Sequence, residues 1–98
     1  MKNIKLGAIK GRHEMPVDGY VLEEVPNEKV MDFKYIEKKT IEKLNELVAD
    51  GVKHINYYPT GLTQVILMFE RVIEKYPISY DVYLYDRDKN SYVEFKTI

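Results

Sequence analysis

Three residues of complementary chemistry stand together near the start of the chain: Arg12, His13 and Glu14. An arginine guanidinium can hold a phosphate through two parallel hydrogen bonds, and a histidine can accept or donate a proton near neutral pH. The segment around them, residues 10–19, contains two glycines and a proline, so it is predicted to be a loop. The alternative is that all three are solvated loop residues, with Glu14 paired to a lysine.

A second polar cluster lies in the middle of the chain and consists of Thr60, Gly61, Leu62 and Thr63. Hydroxyl groups and backbone amides at the start of a helix can bind a phosphate, and glycine allows the tight turn that precedes it. The pattern is shorter than a Walker A loop, lacks its lysine and does not match a dinucleotide glycine fingerprint, so ATP or NAD binding is not indicated. The structural alternative, which is compatible with binding, is that Thr60 is an ordinary helix cap and Gly61 an ordinary turn glycine.

The strand before this turn carries further candidates. Asn56 is close enough to the turn to contact a base or a ribose, and the ring of Tyr58 offers a flat face for a base. His54 shares a strand face with Asn56, and we interpret it as a half-buried structural residue. His54 and His13 are far apart and lack metal-binding spacing, so neither a metal site nor another cofactor is predicted.

The elements that must position these residues are a strand, a turn and a helix. Residues 53–58 have β propensity, Pro59 cannot continue a ladder, and apolar residues then recur at helical spacing as far as residue 76. Leu67 and Met68 make the first turns of this helix apolar nearly all round, which predicts that the helix is buried.

The rest of the sequence predicts an α/β domain in two or three layers. Its expected elements are a strand at 3–9, a short strand or edge segment at 20–25, a helix from 30 or 32 to 50, a strand at 78–85, a turn at 86–90 and a strand at 91–97. The result is a mixed sheet with two main helices and a C-terminal β-hairpin. We expect the first and central strands to be parallel neighbours, so that the two polar loops open on the same edge of the sheet.

Composition limits the functional classes. Ninety-eight residues make one domain, 1–98, and a homodimer would enlarge a binding surface of this size. The absence of cysteine excludes disulfides and thiolate chemistry, and no apolar segment is long enough for a signal or a membrane span, so a cytoplasmic protein is expected. A net charge of −1 does not favour binding to duplex nucleic acid, whereas a small anionic ligand held by local groups is compatible with it.

The segment from Asn56 to Thr63, running into an apolar helix, resembles the ligand-binding turn of CRISPR-associated Rossmann-fold (CARF) domains and of related small ring nucleases. The loop at 11–13 is similar to the first-strand loop of several such proteins. This resemblance implies a compact Rossmann-like domain that binds a cyclic oligoadenylate messenger, usually as a dimer. It also implies that Thr60, Gly61 and Thr63 contact phosphates, and that Arg12 and His13 bind or act on the cyclic backbone.

Cleavage of such a ring requires no metal ion. A ribose 2′-hydroxyl can attack its own phosphate when the protein aligns it and stabilises the developing charge. His13 would be the base or acid, Arg12 would neutralise the phosphorane, and the amides at Gly61 and Leu62 would complete the anion pocket. Gly11 and Glu14 are further expected ligand contacts.

The predicted function is therefore a ring nuclease that switches off CRISPR-type antiviral signalling. One alternative is a protein that sequesters the same messenger without cutting it. Another is a structural or interaction module whose tyrosine-rich hairpin pairs with a partner at a sheet edge.

Overall fold

Five strands form one mixed sheet in a computed structural model that describes residues 2–11 and 15–96. The elements in chain order are β1 (Lys2–Ile9), β2 (Gly19–Leu22), a short 3₁₀ helix (Asn27–Lys29), α1 (Phe33–Ala49), β3 (Val52–Tyr58), α2 (Thr63–Ile73), β4 (Ser79–Asp86) and β5 (Ser91–Glu94). The strand order is β2-β1-β3-β4-β5, in which only the β4–β5 pair is antiparallel. The predicted α/β class, mixed sheet, two helices and C-terminal hairpin are confirmed.

The first and central strands are parallel neighbours, as predicted. In their register, Leu6 lies opposite Tyr57 and Gly7 opposite Tyr58. Because parallel strands end at the same edge of a sheet, the chain leaves Ile9 and Tyr58 at one common edge. This edge is the carboxyl edge to which the candidate site was assigned.

Both helices pack on the same face of the sheet, so the domain has two layers. The ring of Tyr57 stacks on Phe69 of α2 with 3.9 Å between ring centroids. The helices also contact each other, and the Gln64 side-chain amide of α2 donates a 3.1 Å hydrogen bond to the Val30 carbonyl just before α1. Between these layers the core holds Leu6, Ala8, Ile36, Leu44, Ile55, Val65, Val72 and Ile73 with Tyr57 and Phe69.

The described end of the connection from β1 to β2, residues 15–18, lies on the opposite face, which we call the open face. Val17 and Tyr20 lie over Gly7 on this face, and the Tyr92 hydroxyl donates a 3.0 Å hydrogen bond to the sulfur of Met15. The helical crossovers run from β2 to β3 and from β3 to β4, whereas this crossover runs in the reverse direction. Right-handed connections therefore place it on the face that the helices leave free.

One expectation about α2, its burial, and one alternative, Thr60 as its cap, were wrong. Leu67 is 55% exposed, because α1 borders only one side of α2 and no other described element covers its outer face. The N-cap residue is Leu62 rather than Thr60, because the turn after β3 uses three residues before the helical geometry begins.

The strands at the two sheet edges are shorter than expected. β2 ends at Leu22 and β5 at Glu94, although the Phe95 amide still donates to the Val82 carbonyl at 2.7 Å. No helix within the described ranges has the length and apolar character needed to span a membrane.

Candidate functional site

The turn between β3 and α2 is held against the end of β1 by a glycine. Gly61 has a φ of +83°, a backbone conformation that other residues rarely adopt. A Cβ atom at this position would overlap the Cγ2 atom of Ile9. Only glycine therefore lets the turn pass this close to the end of β1.

The start of α2 has no side-chain cap among the described residues. Leu62 takes an extended conformation, and its carbonyl accepts hydrogen bonds from the amides of Val65 and Ile66 at 3.1 and 3.2 Å. The amides of Thr63 and Gln64 precede these donors, so the helix itself offers them no acceptor. They add to the positive end of the helix dipole and make this end of α2 suited to an anion.

The direction of the chain changes between β1 and β3. From β1 the chain moves to β2 on one side, and from β3 it moves through α2 to β4 on the other side. Open α/β sheets bind ligands in the crevice at such a point, outside the carboxyl ends of the strands. At this point of the sheet edge lie Ile9, the last residue of β1, with Lys10, and across from them the segment from Pro59 to Thr63.

The candidates in the first loop fall largely outside the described part of the chain. Arg12, His13 and Glu14 lie outside the described residues, so their expected roles stay predictions. Gly11 is described and exposed, with open space where a Cβ would stand. Gly11 follows Ile9 by two residues, and Ile9 is the residue that contacts Gly61.

Asn56 and Tyr58 lie on the open face rather than at the tip of the turn. Tyr58 is only 6% exposed, since its ring stacks on Tyr83 at 5.3 Å and meets the edge of Tyr92 at 5.1 Å. Burial raises the pKa of the Tyr58 phenol. Tyr58 thus belongs to a packed tyrosine cluster that supports the edge of the sheet.

Asn56 lines an open pocket of about 440 Å³ between β1, β3 and the loop that crosses them. Asn3 and Lys5 of β1 contribute to its floor, and Met15 and Asp18 contribute to its wall. The Asp18 carboxylate accepts a 2.8 Å hydrogen bond from the Lys5 amide, which fixes the end of the loop on β1. Ile4, Pro16 and Val17 also line the pocket, so its surface is mixed in polarity and includes one lysine.

Sequence reasoning missed the surroundings of His54. Its Nδ1 lies 2.7 Å from the hydroxyl of Ser79, and its Nε2 lies 3.0 Å from a carboxylate oxygen of Asp81. These partners follow His54 by 25 and 27 residues and come from the neighbouring strand β4. Local spacing could not reveal them, because the contact depends on the register between β3 and β4.

Comparisons of this chain with protein-family models, curated proteins and solved structures give no match. Within the described ranges, no three histidine, aspartate or glutamate side chains are grouped in a way that could hold a metal ion. Function is therefore inferred from the geometry and chemistry of the chain itself.

Proposed function

We propose that this chain is a Rossmann-like, CARF-like domain that binds a cyclic oligoadenylate at the crevice between β1 and β3 and cleaves it. The observation that carries the proposal is the contact between Gly61 and Ile9 at the reversal of strand order. This contact brings the turn before the uncapped start of α2 against Ile9, the last residue of β1. A ligand with several phosphates can then engage both loops at once.

The start of α2 provides the anion site. A phosphate in front of Thr63 would accept hydrogen bonds from the amides that the helix leaves free, and the helix dipole favours its charge. Thr63 is exposed and Thr60 is partly exposed, so their hydroxyls can add further hydrogen bonds. Gly61 and Leu62 would present their amides to the same phosphate.

The loop after β1 provides the reactive groups. In the proposed reaction a ribose 2′-oxygen attacks the adjacent phosphorus, and the bond from phosphorus to the 5′-oxygen breaks. His13 acts in the proton transfers, in which the 2′-hydroxyl loses a proton and the departing 5′-oxygen gains one. Arg12 neutralises the charge that builds on the phosphorane, and the product carries a 2′,3′-cyclic phosphate.

The proposed physiological effect is to lower the concentration of the messenger and so to switch off CRISPR-type antiviral signalling. We propose a homodimer as the working form, because a second copy would enlarge the binding surface of a 98-residue domain. Within one protomer, Gly11, Glu14, Asn56 and Tyr58 would complete the contacts or support the residues that make them.

The test is to incubate the purified protein with cyclic oligoadenylates of different ring size, in the presence of a metal chelator. Chromatography measures the linear product, and equilibrium dialysis measures the bound ring. His13→Ala should abolish cleavage and retain binding, and Arg12→Ala should weaken both. Arg71→Ala, at the other end of α2, is the matched arginine control and should change neither.

Two outcomes would change the conclusion. Binding of a ring without any product would mean that the protein sequesters the messenger. Neither binding nor cleavage of any ring would exclude the cyclic nucleotide function.

The second candidate function is an interaction module, and exposed side chains on the hairpin favour it. Leu84, Tyr85 and Phe95 are 41%, 49% and 59% exposed on or beside the terminal strand pair. Apolar side chains at a sheet edge are typical of sites where another chain adds a strand. In that case Thr60→Ala and Thr63→Ala would leave function unchanged, whereas Leu84→Lys would abolish partner binding.

A further inference from the structure

A chain of hydrogen bonds links three polar residues on the open face of the sheet. Ser79 begins β4, His54 lies directly opposite it on β3, and Asp81 is the next residue of β4 on the same face. The distances are 2.7 Å from the Ser79 hydroxyl to Nδ1 and 3.0 Å from Nε2 to the carboxylate. The His54 side chain is 20% exposed, so the ring is held in place while solvent still reaches the group.

The hydrogen-bonding chemistry of Ser79 and Asp81 determines which ring nitrogen of His54 carries the proton. An ionised carboxylate only accepts hydrogen bonds, so Nε2–H of a neutral His54 donates to Asp81. Nδ1 is then bare and accepts the hydroxyl hydrogen of Ser79. The Lys53 carbonyl competes for this hydrogen at 3.4 Å, but the bond to Nδ1 is much shorter. The result is a serine hydrogen-bonded to a base that is oriented by a carboxylate.

We propose that Ser79 and His54 form a second reactive centre, in which the Ser79 oxygen attacks the carbonyl carbon of a carboxylic ester. The hydroxyl proton moves to His54 Nδ1, the alcohol leaves with that proton, and an acyl group remains on Ser79. Water then attacks the acyl carbon, gives a proton to His54, and releases the acid as Ser79 regains its hydrogen. Asp81 is a positioning residue that holds the imidazole in the required tautomer.

The surroundings indicate which esters fit. In the strand registers Asn3 lies opposite His54, Asn56 opposite Asp81, and Lys5 opposite Asn56. Asn3, Lys5 and Asn56 line the open pocket beside the serine centre, and their side chains offer amide and ammonium donors. Because the pocket also holds the Asp18 carboxylate, the geometry favours an ester with a polar, uncharged acyl group that lies across the sheet face.

This centre is separate from the crevice at the carboxyl edge. His54 precedes Tyr58 by four residues along β3, which corresponds to about 13 Å at the usual rise of a strand. The proposal does not depend on the cyclic nucleotide function, and either one can fail alone.

A serine-directed fluorophosphonate tests the reactivity of Ser79 in the intact protein. In the labelling step the serine oxygen bonds to phosphorus, the phosphorus–fluorine bond breaks, fluoride leaves, and the proton passes to His54. The chain has two serines, Ser79 and Ser91, and Ser91 is exposed at the start of β5. Peptide mass mapping can therefore compare the two labelling rates in one sample, with Ser91 as the internal control.

The proposal predicts that Ser79 is labelled at least about 100-fold faster than Ser91, which is the low end of the gain from a positioned base. His54→Gln should reduce the Ser79 rate to that of Ser91, and Asp81→Asn should reduce it by about tenfold or more. Ser91→Ala should leave the Ser79 rate unchanged. Equal labelling of the two serines in the unmodified protein would overturn the proposal, as would a Ser79 rate that does not respond to Asp81→Asn in a folded variant.

Discussion

At the scale of single residues, Gly61 decides how closely the turn before α2 can approach the end of β1. Its positive φ and its closeness to Ile9 impose two independent requirements for glycine. Gly51, in the turn after α1, has the same φ of +83° but nothing within 4 Å of the position of a Cβ. The two positions therefore separate the cost of backbone conformation from the cost of crowding.

Gly61→Ala should destabilise the protein more than Gly51→Ala. The left-handed conformation alone costs about 1–2 kcal/mol for an alanine, and crowding against Ile9 should add about 1–3 kcal/mol at position 61. Denaturant unfolding of both variants measures the difference in the free energy of unfolding. Equal losses at the two positions would show that the turn does not press on β1.

Among single residues, local conformation could be predicted from the sequence, but contacts between distant strands could not. Gly61 was assigned to a tight turn from its neighbours Pro59 and Thr60, and that assignment is confirmed. The bond network of His54 was not predicted, because its partners depend on how two distant strands align. The turn at Gly61 depends on its sequence neighbours, whereas the partners of His54 depend on the pairing of β3 with β4.

At the scale of elements, the strand, turn and helix at 52–73 could be predicted because each follows local rules. Proline ends the strand, glycine makes the turn, and the apolar spacing marks the helix. The burial of α2 was overestimated, because spacing does not reveal how many elements surround a helix. The pairing of β2 with β1 was likewise not predictable, since the described part of the crossover between them contains no helix.

Asp32 links the stability of α1 to pH. Its carboxylate accepts a 3.0 Å hydrogen bond from the Tyr35 amide at the start of the helix. This hydrogen bond lowers the pKa of Asp32, with a further contribution from Lys29 at 3.4 Å. The folded state thus favours the ionised form of the Asp32 carboxyl group. Its stabilising effect is present above the ordinary pKa of 3.8 and is lost as the pH falls through the lowered value.

Asp32→Ala should lower the melting temperature at neutral pH, and the difference from the unmodified protein should shrink in acid, well below the ordinary carboxyl pKa of 3.8. Thermal unfolding followed by circular dichroism at both pH values measures this change. Asp50→Ala, at the other end of α1, is the control and should not destabilise the helix, because negative charge is unfavourable there. A constant difference for Asp32→Ala at both pH values would exclude the charged cap.

At the scale of the whole molecule, tyrosines occur in the core and on the open face of the sheet. Burial raises the pKa of five of them: Tyr57, Tyr58, Tyr80, Tyr83 and Tyr92. Tyr57 is fully buried and has the largest increase, to which the charge of Glu70 contributes after burial. A phenol whose pKa is raised by folding stays neutral in the folded protein, whereas in the unfolded chain it ionises above its ordinary pKa of 10. The stability of the fold therefore falls as the pH rises above that value.

The protein should therefore lose stability steeply above about pH 10, and Tyr57→Phe should reduce that loss. The hydroxyl of Tyr57 donates only a long hydrogen bond, 3.5 Å to the Ile66 carbonyl, so the change should cost no more than about 1 kcal/mol at neutral pH. Urea unfolding at neutral and alkaline pH measures both effects. Tyr85→Phe, which alters an exposed ring, is the control, and an equal alkaline loss in both variants would contradict the prediction.

The most direct test of the proposed function is to change the charge at the start of α2 and measure ligand binding. Thr63→Glu should stabilise α2 slightly through the helix dipole, by about 0.3–1 kcal/mol, yet repel a ligand phosphate. Thr63→Gln is nearly the same size and carries no charge. Equilibrium dialysis with labelled cyclic oligoadenylates should show binding by the unmodified protein and by Thr63→Gln, with affinity at least about tenfold weaker for Thr63→Glu. No binding by the unmodified protein, or equal binding by all three, would contradict an anion site at this edge of the sheet.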